Sequence, residues 1–275
     1  MSAADSTERM FAMPAFEGLR ILLTYREKHP ELPNNELLRI IEKLEIDGST
    51  LDFEAALHLE QIVPTEDIPD GLDYYRLCIK SVLLFRQPVW AKAMSQGRNR
   101  FIRTLSANDQ SIFEGAGILQ DPPDAALVEW WDGVCGEARA AIDREKMRQA
   151  RAAEALSIAL EIKELAKLGI NQTPSWTGLD DNFAGYDVKS YRLVGNIVQP
   201  KLIEVKSTTA SPLRFFITRN EWNTALKFGE AYVFHVWDMS VKPERLFVRT
   251  TADVMKNIPE DQMRGQWKSA QIPVG

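Results

Sequence analysis

Cysteine is nearly absent from this chain: two, Cys78 and Cys135, among 275 residues. So few thiols make neither a disulfide framework nor a cysteine-rich metal site. Also missing is any apolar run of roughly 18 residues, the length a transmembrane helix needs. Acid precedes the first apolar stretch, so no secretory signal is expected and the chain reads as cytoplasmic, without a membrane role. Positive charge is in deficit, with 33 Lys+Arg against 39 Asp+Glu and a net of -6. Such a balance lacks the basic footprint of a protein that coats DNA non-specifically. No internal repeat or low-complexity segment stands out.

What is present suffices for two ordinary cores. With 45% hydrophobic residues in 275, two domains of about 130 residues each are expected. The charge is uneven: residues 1–136 hold 13 Lys+Arg against 22 Asp+Glu, residues 137–169 hold 7 against 6, and residues 170–275 hold 13 against 11. Any nucleic-acid contact therefore belongs to the mildly basic C-terminal part, with modest intrinsic affinity and help from a partner.

Residues 1–136 read as a helical domain of unknown role. Apolar residues recur at helical spacing over 16–29, 34–44, 50–61 and 73–84, interrupted by His29-Pro30, Asp47-Gly48, Pro64 and Pro69-Asp70-Gly71. Shorter helices are expected at 91–94, 106–116 and 125–135, with Trp90, Trp130 and Trp131 as core aromatics. Gly97-Arg98-Asn99-Arg100-Phe101-Ile102-Arg103 is the one basic and aromatic cluster here, better read as a solvated helix face than as a nucleic-acid contact. Residues 138–168, rich in Ala, Arg and Glu, read either as one long helix or as two broken near Ala150. The domain boundary is placed near residue 137, giving domains 1–136 and 137–275 with a core at 170–250.

The chemistry concentrates beyond that helix. Glu204-Val205-Lys206 sits in Lys201-Leu202-Ile203-Glu204-Val205-Lys206-Ser207, where alternation puts Leu202, Glu204 and Lys206 on one strand face and Ile203 and Val205 on the other. Glu-x-Lys is a short pattern, and the chain carries its own control. Glu161-Ile162-Lys163 repeats it within a helix-forming stretch, where it reads as a solvated face. Residues 185–191 form a second strand candidate bearing Asp187, and Gly195-Asn196 supplies a hairpin turn between the two. A hairpin would set Asp187 beside Glu204. The competing reading is an edge hairpin whose charges meet only water. Two carboxylates and a lysine so gathered could hold a divalent cation and activate water beside it. Lys189, two residues from Asp187, is read as a cross-strand ion-pair partner of Glu204 with a structural role.

These residues carry a resemblance. Gly185-Tyr186-Asp187, Ile203-Glu204-Val205-Lys206-Ser207-Thr208, Thr218-Arg219-Asn220-Glu221-Trp222 and residues 232–237 resemble the nuclease-like domain at the C-terminus of the plant protein NO VEIN, which is similar to the PD-(D/E)XK phosphodiesterases. The resemblance spans roughly residues 150–250. It implies an α+β protein whose second half has a restriction-endonuclease-like core, a mixed sheet flanked by helices. It makes Asp187 and Glu204 the metal-binding carboxylates, Lys206 the catalytic lysine and the Val205 carbonyl a further ligand of Mg²⁺, with Mn²⁺ as a substitute. Glu154, on the preceding helix, is added as a candidate ligand. Tyr186 stands where the proline that names the superfamily would be.

Downstream, residues 214–217 read as a strand. Thr218 reads as the N-cap of a helix through Phe228, with Glu221 closing a capping box and Gly229 at its end. A strand, helix, strand order to Trp237 then supplies a crossover for the mixed sheet. Arg219, Asn220 and the hydroxyls of Ser207, Thr208 and Thr209 are candidate substrate contacts. Trp222 and Trp237 read as core, and His235, with no second histidine nearby, as structural.

The expected activity is metal-dependent hydrolysis of phosphodiesters, in DNA rather than RNA, in bacterial defence or DNA processing. The alternative is a catalytically silent module that binds nucleic acid or a partner protein, with the helical half as interaction platform. Self-association is left open.

Overall fold

The computed structural model describes residues 9–66, 68–85, 88–181, 183–261 and 265–274. The chain divides into two compact units, Met1–Arg144 and Glu145–Gly275, and the result is α+β overall: helices first, then a mixed sheet flanked by helices.

Among its described residues the first unit is helical. Helix α1 spans Met13–Lys28, α2 Asn34–Leu44, α3 Phe53–Glu60, α4 Leu72–Phe85, α5 Arg98–Thr104 and α6 Ala107–Gly115. The expectation of a helix from residue 50 gives way to a 3-10 turn at Gly48–Thr50, after which Asp52 caps α3 by accepting the Ala55 N–H. An Asx side chain satisfies one of the orphan N–H groups there, which fixes the start. Phe11, Phe16, Trp90, Phe101 and Phe113 meet ring to ring at the centre of the core. Of the basic and aromatic cluster, Phe101 and Ile102 are buried and Arg98 donates to the Ile118 and Gln120 carbonyls, which leaves Arg100 and Arg103 on an exposed face.

Helix α7, Ala125–Lys167, is unbroken over 43 residues. It absorbs both the short helix expected at 125–135 and the stretch at 138–168, so one helix, not two, is what forms. The composition change near residue 137 falls inside it. Asp124 accepts the Leu127 N–H at its start. At its end Gly169 takes φ +66°, the Ile170 N–H reaches the Leu165 carbonyl and the Gly169 N–H reaches Ala166. This is a Schellman stop, closed by buried Ile170 against buried Leu165.

In the second unit the one-turn helix α8, Thr177–Asp180, precedes strands β1 (Val188–Val194), β2 (Ile197–Thr208) and β3 (Arg214–Thr218), helix α9 (Arg219–Phe228), strands β4 (Tyr232–Asp238) and β5 (Arg245–Thr250), helix α10 (Thr251–Met255) and strand β6 (Ser269–Pro273). The main sheet runs β1-β2-β4-β5, with β2 and β4 parallel and the other pairs antiparallel. The hairpin forms at Gly195-Asn196, where Val194 pairs with Ile197. Strand β1 begins at Val188 and not at residue 185, because Gly185 holds φ +76° in the turn before it.

Strand β3 departs from expectation. It lies within the β2 to β4 crossover but pairs with β6 in a separate two-stranded sheet. Its alternation explains why: Phe215 and Ile217 are buried with Trp222 and Ala225 of α9, while Phe216 is 59% exposed. A half-buried strand of that kind suits a cover layer better than a sheet centre buried on both faces.

Alternation assigns the two faces of the main sheet. Leu202, Tyr232, Phe234 and Val236 pack with Trp222 and Ala225 of α9. Ile203, Val205 and Trp237 pack with Ala153 of α7.

Candidate functional site

The hairpin register ends with Val188 opposite Ile203, and Asp187 stands just beyond it, out of register, at the pocket that Glu204 also lines. The Asp187 N–H bonds the Ile203 carbonyl at 2.9 Å, and its carboxylate accepts the Val205 N–H at 2.7 Å. The N–H and C=O of one strand residue point to the same side, so the Val205 carbonyl faces this edge too. Glu204 and Lys206 share the α9 face of β2. Lys206 Nζ lies 2.7 Å from Glu204 Oε1 and 2.8 Å from Glu221 Oε2, and the Tyr232 hydroxyl donates to the Gly185 carbonyl at 2.6 Å and lies 3.4 Å from Glu204 Oε2.

Two glycines permit this packing. A Cβ on Gly178 would come within 2.7 Å of Asp187 Oδ1, and one on Gly185 within 2.3 Å of Thr224 Oγ1. The Gly178 N–H bonds the Asp187 carbonyl at 2.9 Å. Gly178, Asp181, Gly185, Tyr186, Asp187, Glu204, Thr218, Asn220 and Glu221 line a pocket of about 260 Å³.

Glu154 is buried rather than on an exposed helix face. It pairs with Arg151 at 2.7 Å and accepts from the Trp176 indole, and its charge reaches Asp187. Four carboxylates, Glu154, Asp187, Glu204 and Glu221, therefore surround two cations, Arg151 and Lys206. Burial, reinforced by Glu154 and Glu221, pushes the Asp187 carboxyl up to about 6 against the opposing Val205 N–H and Lys206. Burial likewise raises Glu204 well above the usual carboxylate range despite Lys206. Burial alone would lower the Lys206 ammonium, but Glu204 and Glu221 outweigh it and raise it. Glu221 is also desolvated, yet Lys206 prevails and holds it below its ordinary value.

Among the described residues no group of three or more His, Cys, Asp or Glu is placed to hold a metal. The donors that do converge, Asp187, Glu204 and the Val205 carbonyl, are all hard oxygens. Two carboxylates in a pocket with room for water fit Mg²⁺, which keeps several waters and takes one or two carboxylates. Burial first, and the neighbouring carboxylates after it, raise their proton affinity, and a bound cation would offset both effects.

Other expectations are corrected. Lys189 stands opposite Leu202 and so is not the partner of Glu204, a place that Lys206 takes. Strand alternation turns Ser207, beside Trp237, to the α7 face and away from Glu204. The Thr208 hydroxyl is buried and accepts the Ala210 N–H. The Arg219 guanidinium stacks on Trp267 at 4.1 Å, donates to the Trp267 carbonyl and pairs with Asp261, so its side chain is held there structurally. Asn220 alone of the five expected substrate contacts lines the pocket. Glu221 and Tyr232 were not singled out as site residues. The signal for Glu221 lay in Thr218-Arg219-Asn220-Glu221-Trp222, where its capping role, which the structure shows, masked a second one.

Glu161, expected on a solvated face, is 2% exposed. It accepts from Lys201 Nζ at 2.6 Å and lies 3.8 Å from His235 Nε2. Ser157 Oγ meets His235 Nδ1 at 3.2 Å and accepts from the Trp237 indole at 2.8 Å. Helix α7 turns this face to the sheet, which its local sequence does not announce. Burial, with Lys201 adding, pushes the His235 imidazole down to about 3, so it is neutral.

The second unit is thus a mixed α+β domain with a carboxylate and lysine constellation at one edge of its sheet. Residues 153–248 match the family model described as Protein NO VEIN, C-terminal, the family that the motif residues resemble. The matched segment runs from α7 into β5 and covers roughly a third of the chain. No curated protein and no solved structure matches the chain. No helix of the described residues is long and apolar enough to cross a membrane.

Proposed function

We propose that the second unit is a metal-dependent phosphodiesterase that cuts nucleic acid, DNA rather than RNA, in a bacterial defence or DNA-processing role. The observation that carries this reading is that Asp187, ahead of β1, and Glu204, on β2, line one pocket, with Lys206 Nζ 2.7 Å from Glu204 Oε1. The four carboxylates exceed the two cations by two charges, which suits a divalent ion. Asp187, Glu204 and the Val205 carbonyl would hold Mg²⁺, or Mn²⁺ in its place, with Glu154 set behind them. Such an ion supplies Lewis-acid stabilisation of phosphoryl charge and a hydroxide-like water near neutral pH. Lys206, kept cationic by its two carboxylates, orients the attacking water and counters charge developing on the phosphate. Asn220 is placed to contact substrate. The helical unit would serve as a platform for a protein partner, and the chain would work in the cytoplasm.

One observation favours the alternative of a silent binding module: both Glu204 oxygens already have partners in Lys206 and Tyr232. Nicking of supercoiled plasmid by wild type, Asp187→Ala and Lys206→Ala in Mg²⁺, Mn²⁺ or EDTA separates the two. Metal-dependent cutting lost in both variants is expected. Equal background in all three would support the silent module.

A further inference from the structure

Glu221 is the one carboxylate of the cluster that belongs to helix α9. It sits at N3, where its side chain accepts the Thr218 N–H at 2.9 Å while the Thr218 hydroxyl accepts the Glu221 N–H at 3.3 Å. A capping box fixes both its backbone and its carboxylate. The same Oε2 that closes the box accepts from Lys206 Nζ at 2.8 Å. An ammonium has three N–H donors, and two of these are directed to Glu204 and Glu221. The third is thereby fixed in direction, and both of the carboxylates that fix it line the pocket.

On the reading of this site as a phosphodiesterase, Glu204 has a second demand on it. A carboxylate that shares its charge with a cation offers less to Lys206, and a lysine on a flexible four-carbon stem would then be free to swing. We propose that Glu221 is the positioning residue that retains Lys206 when Glu204 is engaged, so that the N-terminal turn of α9 sets the direction of the lysine's remaining N–H. Glu221 touches neither metal nor substrate in this role. The helix cap and the active centre share one atom, which couples the placement of α9 to that of the lysine.

Glu221→Gln provides the test, because Gln closes a capping box as Glu does but brings no charge to Lys206. The variant should still unfold in one cooperative transition and keep the KM of wild type for plasmid, and lose about 10²-fold in kcat, the scale of a small misplacement of a catalytic group. Glu221→Asp, which restores charge on a shorter stem, should recover part of that loss. Full activity in Glu221→Gln would overturn the proposal. An equilibrium stability cycle of Glu221→Gln and Lys206→Met, singly and together, reads the same contact without any substrate. Clear coupling is expected, and additive effects would overturn the anchor however wild type behaves. Coupling in a wild type that cuts nothing would instead leave the anchor standing and remove the phosphodiesterase reading on which its catalytic role rests.

Discussion

The second unit buries two carboxylate and lysine pairs, one on each face of the same sheet. Glu161 meets Lys201 at 2.6 Å on the α7 face, and Glu204 meets Lys206 at 2.7 Å on the α9 face. Their contact distances hardly differ, so distance does not separate structure from chemistry. Surroundings do. Around Glu161 the neighbours are neutral or uncharged donors and acceptors, Ser157, His235 and Trp237, and one cation answers one carboxylate. Around Glu204 stand Asp187, Glu221 and, through Asp187, Glu154, so negative charge is left over and the groups face an open pocket. A buried pair that is locally neutral serves the fold, whereas one embedded in uncompensated charge is poised to bind something.

The contrast can be broken from the structural side first. Lys201→Met strands Glu161, which is 2% exposed, and should cost about 3 kcal/mol, the low end for removing one partner of a buried pair. Adding Glu161→Gln should recover much of it. Urea denaturation of the single and double variants checks both statements. Unchanged stability in the single variant would mean that the two pairs are not distinguished by closure.

On the other face the sign reverses. Asp187→Asn removes one charge from an overfull cluster and keeps an acceptor for the Val205 N–H, so without metal at pH 8 the variant should be more stable than wild type by on the order of 2 kcal/mol. Its pH dependence follows from the raised carboxyl of Asp187, about 6 in the folded chain. A raised value means that stability from the protonated form is complete below the unfolded carboxylate range and is lost as pH rises through about 6. Wild type in EDTA should therefore fall relative to Asp187→Asn between pH 4 and pH 8, and Mg²⁺ should restore wild type alone at the upper end. Parallel pH profiles for the two proteins would remove the account of excess charge.

The smallest expected effect sharpens the same comparison. Gly178→Ala forces about 0.3 Å or more of movement at Asp187 Oδ1, since real Cβ contacts do not reach 2.7 Å. A loss of roughly tenfold in kcat with a midpoint lowered by only a few degrees is expected. An alanine variant with wild-type kcat would show that the Asp187 oxygen facing Gly178 takes no part.

Local pattern made much of this legible. Residues 34–44 formed a helix of the expected bounds because Leu37 and Ile41, four apart, face the core. The hairpin was readable from Gly-Asn between two alternating runs, and alternation alone placed Glu204 and Lys206 together. The capping box of α9 was readable from Thr218 and Glu221. Substrate contacts were the least legible: Ser207, Thr208 and Arg219 have suitable chemistry, yet the face of a strand, a local turn and Trp267 claim them.

By itself the sequence determined most helices of the first unit, the β1-β2 hairpin and the cap of α9, because propensity, turn residues and caps act within a few positions. It also determined that Glu204 and Lys206 share one face of β2, since side chains alternate along a strand. Only the tertiary structure decided which Glu-x-Lys faces a pocket and which carboxylate has a second use. Glu161 and Glu154 are buried because α7 packs on the sheet, and Glu221 meets Lys206 because a crossover brings α9 over β2. Those contacts depend on desolvation and on charge summed over residues distant in the chain, which no local pattern records.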